Sequence, residues 1–90
     1  MTSRPKHDLA LSVDPARDVA LYRQIYDELR AAILTGRIRP GDVVPSTREL
    51  ALSLSVSRTT AKLAYDLLLS EGYLEGHVGS GTRVCDLLPE

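Results

Sequence analysis

The sequence predicts a mainly α-helical fold of three helices followed by a small β-hairpin. Three observations support this prediction: apolar residues recur at helical spacing in three segments, capping residues and glycines separate those segments, and two short extended runs follow the third. The chain has 90 residues, of which 43% are hydrophobic and 26% are charged. This composition is typical of one small globular domain.

The first predicted helix covers residues 19–34 and ends at Gly36, a C-cap residue. Its apolar side is defined by residues at every fourth position: Leu21, Ile25, Leu29 and Ile33. Residues 1–18 show no sustained period and contain two prolines, so we expect a tail with little fixed structure there.

A second helix is predicted to begin after Ser46, because this N-cap residue and Glu49 three positions later form a capping box. The next N-cap candidate, Ser57, follows after a turn of only three or four residues, and it predicts a third helix over residues 58–70. Two helices joined by so short a turn form a helix-turn-helix, predicted here over about residues 46–70.

The third predicted helix has a side that faces the core and a side that is free to meet a partner. We expect the core side, with Ala61 at its margin, to hold Thr60, Leu63, Ala64, Leu67 and Leu68. The opposite side holds Arg58, Thr59, Lys62, Tyr65, Asp66 and Leu69. Because the core side is complete without Arg58, Thr59 and Lys62, these three residues are available for binding.

Two extended runs, over residues 73–76 and 82–85, flank the glycine-containing link HVGSG and predict a hairpin. Val43 and Val44 are compatible with a very short additional strand. Three helices and a hairpin make a winged helix-turn-helix. The domain is predicted to cover residues 19–86, and the wing within it covers residues 73–85. Residues 87–90 are predicted to be the C-terminal end or the start of a linker.

The charge distribution is compatible with a nucleic-acid partner although the formal net charge is −1. Residues 36–62 contain five basic side chains against two acidic ones, and a local basic face is what binding of phosphates requires. The segment SVSRTTAK, residues 55–62, places hydroxyls and Arg58 at the start of the third helix. A cation there opposes the helix dipole, and a bound phosphate would reverse that balance. The guanidinium of Arg58 suits the O6 and N7 atoms of guanine.

Four motifs in order resemble the N-terminal DNA-binding domain of GntR-type bacterial transcription regulators: LYRQI, GRIRPGD..PSTREL, VSRTT and EGYLE....GSGT. The resemblance covers residues 19–84. The passages LYRQIYDELRAAI and AYDLLLSEGYLE are most similar to the MocR subgroup, whose winged helix is joined to an aminotransferase-like domain that binds pyridoxal phosphate. The resemblance implies a sequence-specific regulator that binds double-stranded DNA as a homodimer, with helix 58–70 in the major groove and the wing in the minor groove.

The resemblance also implies which residues contact DNA. They are Ser46, Arg48, Ser57, Arg58, Thr59, Thr60 and Lys62, together with Gly79 and Ser80 at the wing tip. Arg83 departs from the family pattern, because an apolar residue usually anchors the wing at that position. Lys62 is expected to contact phosphate, since lysine lacks the planar fork of arginine.

An alternative function is that of a winged helix that binds another protein. Tyr65 and Leu69, four residues apart on the side of the third helix that carries the polar residues, are the candidate contacts with a partner domain or subunit.

No enzyme is predicted, because the sequence lacks metal-ligand spacing, a phosphate-binding glycine loop and a nucleophile with a credible base. We expect no cofactor in this chain; pyridoxal phosphate would belong to a larger C-terminal domain. The single cysteine, Cys85, excludes an internal disulfide framework. No apolar run approaches the ~20 residues of a membrane span, and no signal-peptide core is present, so a cytoplasmic protein is expected.

Overall fold

The computed structural model describes residues 11–77, 79 and 81–89, and over these residues it consists of three helices and three short strands. This is the predicted winged helix-turn-helix. The elements are, in chain order, α1 (Leu21–Leu34), β1 (Val43–Val44), α2 (Thr47–Leu54), α3 (Arg58–Ser70), β2 (Leu74–His77) and β3 (Gly81–Val84).

The second and third helices begin at capped serines, as predicted. The Ser46 hydroxyl accepts from the Glu49 amide at 3.1 Å, and the Glu49 carboxylate accepts from the Ser46 amide at 3.0 Å, which completes the capping box. The Ser57 hydroxyl accepts from the Thr60 amide at 3.0 Å. Each cap satisfies amides that the helix itself leaves without partners, so each helix starts at a defined residue.

The turn between α2 and α3 is closed by backbone hydrogen bonds around Ser55. This serine adopts a left-handed conformation, with φ of 56°. Its amide donates to the Leu52 carbonyl, and the Val56 amide donates to the Ala51 carbonyl at 3.0 Å. These two bonds form a Schellman motif, in which glycine is the commonest residue at the left-handed position. The motif redirects the chain abruptly, which allows α3 to begin so soon after α2 ends.

The sheet contains one pairing that the sequence did not predict. Its strand order is β1-β3-β2, and both pairings are antiparallel. The predicted hairpin is present, with strands β2 and β3, and β1 is added to it through the pairing of Val43 with Arg83. Arg83 therefore lies half-buried in the central strand, with Val43 on one side and Glu75 on the other. The wing is thus joined to the segment that leads into α2.

Helix α3 is the centre of the core, because it packs against α1, α2 and β2. Ala64 and Leu68 are buried as predicted, but the predicted placement of two neighbours is wrong. Tyr65 is only 3% exposed, whereas Leu63 is 46% exposed. Ala61, expected at the margin, is fully buried. Because α1, α2 and β2 all pack against α3, its buried side includes Ala61 and Tyr65. The position of one apolar stripe in the sequence does not predict this.

The predicted flexible tail is wrong for residues 11–18. Leu11 and Val13 pack against the core. The side-chain amide of buried Gln24 accepts from the Asp14 amide at 2.8 Å and donates to the carbonyls of Asp14 and Val19 at 3.0 and 2.8 Å. These bonds hold the chain in turns until α1 begins at Leu21, two residues later than predicted. Residues 1–10 lie outside the described part of the chain.

Candidate nucleic-acid interface

The first turn of α3 is exposed and rich in hydrogen-bonding groups. Arg58 and Thr59 are exposed, and Thr60 is half-buried. The Ser57 hydroxyl accepts from the Thr60 amide and donates to the Thr60 hydroxyl at 2.9 Å. Because the Thr60 oxygen accepts this bond, its own proton is left to donate outward. The cap therefore presents a hydroxyl donor beside the guanidinium of Arg58, a combination that suits a phosphate and a base edge together.

Lys62 lies one turn further along the same side of α3. Its ammonium group bonds the carboxylate of Asp66 at 2.8 Å, and both side chains are at least half exposed. An exposed pair of this kind contributes only a few tenths of a kcal/mol. The pair can open at little cost, so Lys62 is able to exchange Asp66 for a phosphate group.

The start of α2 and the wing border one groove. This groove has a volume of about 480 Å³ and is open to solvent. It brings together Ser46, the N-cap of α2, and Gly79, which is exposed between β2 and β3 with φ of 80°. Arg48 is exposed in the first turn of α2. Ser80, the other predicted wing residue, lies outside the described residues. The remaining residues that line the groove are Val43, Val44, Thr47, Gly81 and Thr82.

Tyr65 is not available as a surface contact, which corrects the sequence prediction. It is buried, and its hydroxyl donates to the carbonyl of Pro45 at 2.5 Å. Burial raises the pKa of the Tyr65 hydroxyl above its usual value, so the group keeps its proton and remains a donor at neutral pH. Leu69, at 38% exposure, keeps its predicted surface position.

Leu63 is a surface residue that the sequence analysis placed in the core. It lies on the exposed side of α3, four residues after Thr59 and next to Lys62. It does not belong to the group of partly buried apolar residues that pack against the core. Ala61 and Tyr65 form a second stripe with Ala64 and Leu68 at helical spacing, so spacing alone did not select the buried side.

Within the described residues, no cluster of three or more histidine, cysteine, aspartate or glutamate side chains is suited to hold a metal ion. The helices of the described chain are also too short or too polar to span a bilayer.

Comparison with known proteins identifies the family. A family model described as "Bacterial regulatory proteins, gntR family" matches residues 21–84. The chain belongs to the GntR family. The family assignment confirms the resemblance found in the four sequence motifs, and it confirms the predicted function of a DNA-binding domain of a transcription regulator.

One relative and two solved structures show how far the similarity to other GntR domains extends. The chain is 48% identical over 80 residues to the probable rhizopine catabolism regulatory protein MocR of Rhizobium meliloti, a match that covers 89% of this chain and 16% of the relative. The chain thus spans about a sixth of the length of that relative. This similarity agrees with the resemblance to the MocR subgroup seen in the sequence, over the part of the relative that the chain spans.

The solved structures share the fold. YtrA from Sulfolobus acidocaldarius, a GntR-family transcription factor, superimposes with a TM-score of 0.80 at 32% identity, over 87% of this chain and 82% of that chain. The DNA-binding domain of AraR, in complex with operator ORE1, superimposes with a TM-score of 0.70 at 32% identity, over 81% and 89% of the two chains. Neither comparison tests the individual DNA-contacting residues, which stay predictions.

Proposed function

We propose that the domain binds a specific double-stranded DNA site with α3 in the major groove and with the β2–β3 wing along the adjacent minor groove. The observation that carries this proposal is the exposed, capped start of α3, where Arg58 stands beside the Ser57–Thr60 hydroxyl pair. The nearby start of α2 and the wing tip share a groove that supplies further contacts through Ser46 and Gly79. Arg48, exposed in the first turn of α2, adds another.

The roles of the contacts follow from their chemistry. Arg58 reads a guanine through paired hydrogen bonds to its O6 and N7 atoms. Ser46, Thr59 and Thr60 donate to phosphate oxygens, and Arg48 and Lys62 add charge to those contacts. Ser57 acts at the interface by donating to the Thr60 hydroxyl, which leaves the Thr60 proton for the phosphate. The solved complex of the AraR DNA-binding domain with an operator supports binding of operator DNA by a domain of this fold.

The experiment that tests the proposal is selection of random duplex DNA against the domain, fused to a dimerising segment, followed by titration across salt concentrations. Arg58→Ala is compared with Arg23→Ala, which removes an exposed arginine of α1 that pairs with Asp27. We expect an enriched motif that Arg58→Ala loses and Arg23→Ala retains. Equal affinity of Arg58→Ala and the wild type for the selected site would contradict the proposal.

Two copies of the domain act together in this proposal. A single domain makes only a handful of phosphate contacts, so its affinity is weak and falls steeply with salt. A homodimer that binds two half-sites gains affinity through the second contact. The measurement is the stoichiometry of the protein on the selected DNA, and one copy on a full site would contradict it.

The domain acts by binding rather than by catalysis, in the cytoplasm, and holds no cofactor of its own. The MocR relative is about six times as long as this chain, so pyridoxal phosphate is proposed only for an additional domain of a MocR-like protein. The domain is incubated with pyridoxal phosphate, the unbound compound is removed, and the absorbance spectrum is recorded. Bound pyridoxal phosphate would give a band at a longer wavelength than the absorbance of the protein, and we expect no such band.

Binding to another protein remains the second candidate function. Of the two predicted contact residues, Tyr65 is buried in the core and cannot meet a partner, whereas Leu69 is exposed. Leu63 is a further exposed apolar residue on α3. Failure to bind any duplex at low salt would favour it.

A further inference from the structure

We infer that Tyr65 is a positioning residue that sets the start of α2, and with it Ser46 and Arg48, relative to α3. The inference rests on the proposed function, because it concerns how two groups of DNA contacts are kept in register. It also predicts a property of the free protein, the rate of amide hydrogen exchange at the start of α2, which can be measured without DNA.

One hydrogen bond joins α3 to the residue that precedes α2, in addition to the packing between the two helices. The Tyr65 hydroxyl, on the buried side of α3, donates to the carbonyl of Pro45 at 2.5 Å. Pro45 directly precedes Ser46, the N-cap residue of α2, and the exposed Arg48 lies two residues beyond that cap. The bond therefore joins the middle of α3 to the residue at which α2 is set in place.

The bond connects two residues that are far apart along the chain. Pro45 and Tyr65 are 20 residues apart in sequence, and the connection between them passes through all of α2 and the turn at Ser55. A hydrogen bond in a site with little water is stronger than the same bond in solvent. The Pro45 carbonyl and the Ser46 amide also share one planar peptide unit. The orientation of the Pro45 carbonyl thus constrains the first residues of α2 through few free torsions.

The other buried tyrosines provide a matched control. The hydroxyl of Tyr26 donates to the Glu71 carboxylate, and the hydroxyl of Tyr73 accepts from the guanidinium Nε of Arg30 at 3.1 Å. Both bonds join α1 to the chain at and just after the C-terminal end of α3, the end opposite Arg58. Removing either hydroxyl deletes a partly buried hydrogen bond without touching the start of α2.

The test compares Tyr65→Phe with Tyr73→Phe. In the free protein, we expect Tyr65→Phe to speed amide hydrogen exchange at Glu49, whose amide donates to the Ser46 cap, by about fivefold relative to amides in the middle of α3. Tyr73→Phe should leave this ratio at the wild-type value. Unchanged exchange at Glu49 in Tyr65→Phe would overturn the inference, whatever the protein binds.

The second part uses the selected DNA site. Tyr65→Phe should weaken binding about fivefold, and this loss should shrink in an Arg48→Ala background, where only the Ser46 contact is left to displace, but persist in an Arg58→Ala background. A loss that is the same in all three backgrounds would overturn the inference, because general destabilisation would explain it. Failure of the wild type to bind any duplex would instead defeat the proposed function, and the exchange measurement would still decide the role of Tyr65.

Discussion

The two sides of α3 differ in what their residues contact. On one side, Ala61, Ala64, Tyr65 and Leu68 are buried against α1, α2 and β2. On the other, Arg58, Thr59 and Lys62 are exposed. One helix therefore carries both the packing of the domain and the proposed recognition of DNA. The comparison teaches that substitutions on the two sides should affect different quantities, stability on one and affinity on the other.

The largest expected effect is a loss of stability on the buried side. Leu68 is fully buried, so Leu68→Ala should lower the free energy of unfolding by about 2–5 kcal/mol, through lost burial and the cavity left behind. Leu63→Ala removes the same atoms from the exposed side, and it should change the free energy of unfolding by less than about 0.5 kcal/mol. Urea unfolding measures both. Similar losses in the two variants would show that the assigned sides are wrong.

Arg58→Ala should have the next largest effect, on the exposed side. We expect a loss of about 1–3 kcal/mol in binding to the selected site and a weaker preference for that site over others, because the paired contact with guanine is lost. The free energy of unfolding should stay near the wild-type value, since Arg58 is exposed. Fluorescence anisotropy with matched and mismatched duplexes measures the change. An Arg58→Ala variant that loses stability but keeps its sequence preference would contradict the assignment of Arg58 to the DNA-binding side of α3.

Ser57 stands where the two sides meet, so its removal should affect both quantities. Ser57→Ala deletes the acceptor for the Thr60 amide and should lower the free energy of unfolding by about 1 kcal/mol. It also frees the Thr60 hydroxyl from its partner, and DNA binding should weaken modestly. Ser53→Ala is the control, because the Ser53 hydroxyl donates to the Leu50 carbonyl within α2 and caps no helix. Thermal unfolding of the two variants should differ in midpoint, with Ser57→Ala the lower.

The smallest expected effect is at Lys62. Lys62→Ala should weaken binding to all sequences alike and reduce the slope of log affinity against log salt by about one, because one phosphate contact is lost. Asp66→Asn is the opposite change: it releases Lys62 from its ion pair, so non-specific binding should tighten slightly. A salt slope that is identical in wild type and Lys62→Ala would place the lysine outside the interface.

Much of the local structure could be predicted because it depends on neighbours in sequence. The caps at Ser46 and Ser57 bond amides three residues later, and these bonds define where α2 and α3 begin. The same local chemistry predicted the exposed hydroxyls and Arg58 at the start of α3. The family could be recognised for a related reason, since its motifs lie in the caps, turns and wing.

Contacts between distant residues could not be predicted in the same way. The pairing of β1 with β3 and the packing of Leu11 and Val13 against the core depend on where separate segments meet. Gln24 is an instance: its polar side chain is buried because it bonds the backbone at Asp14 and Val19. Sequence patterns that assign polar residues to the surface miss such a residue.

The sequence by itself determined the helices, their order, the short turn and the chemistry offered at the start of α3. Only the tertiary structure decided that Tyr65 turns inward and Leu63 outward. Helical spacing gives relative angles around an axis, but it does not say how many neighbours will pack against that axis or from which directions. Because α3 is covered by α1, α2 and β2 together, its buried side is set by those three contacts.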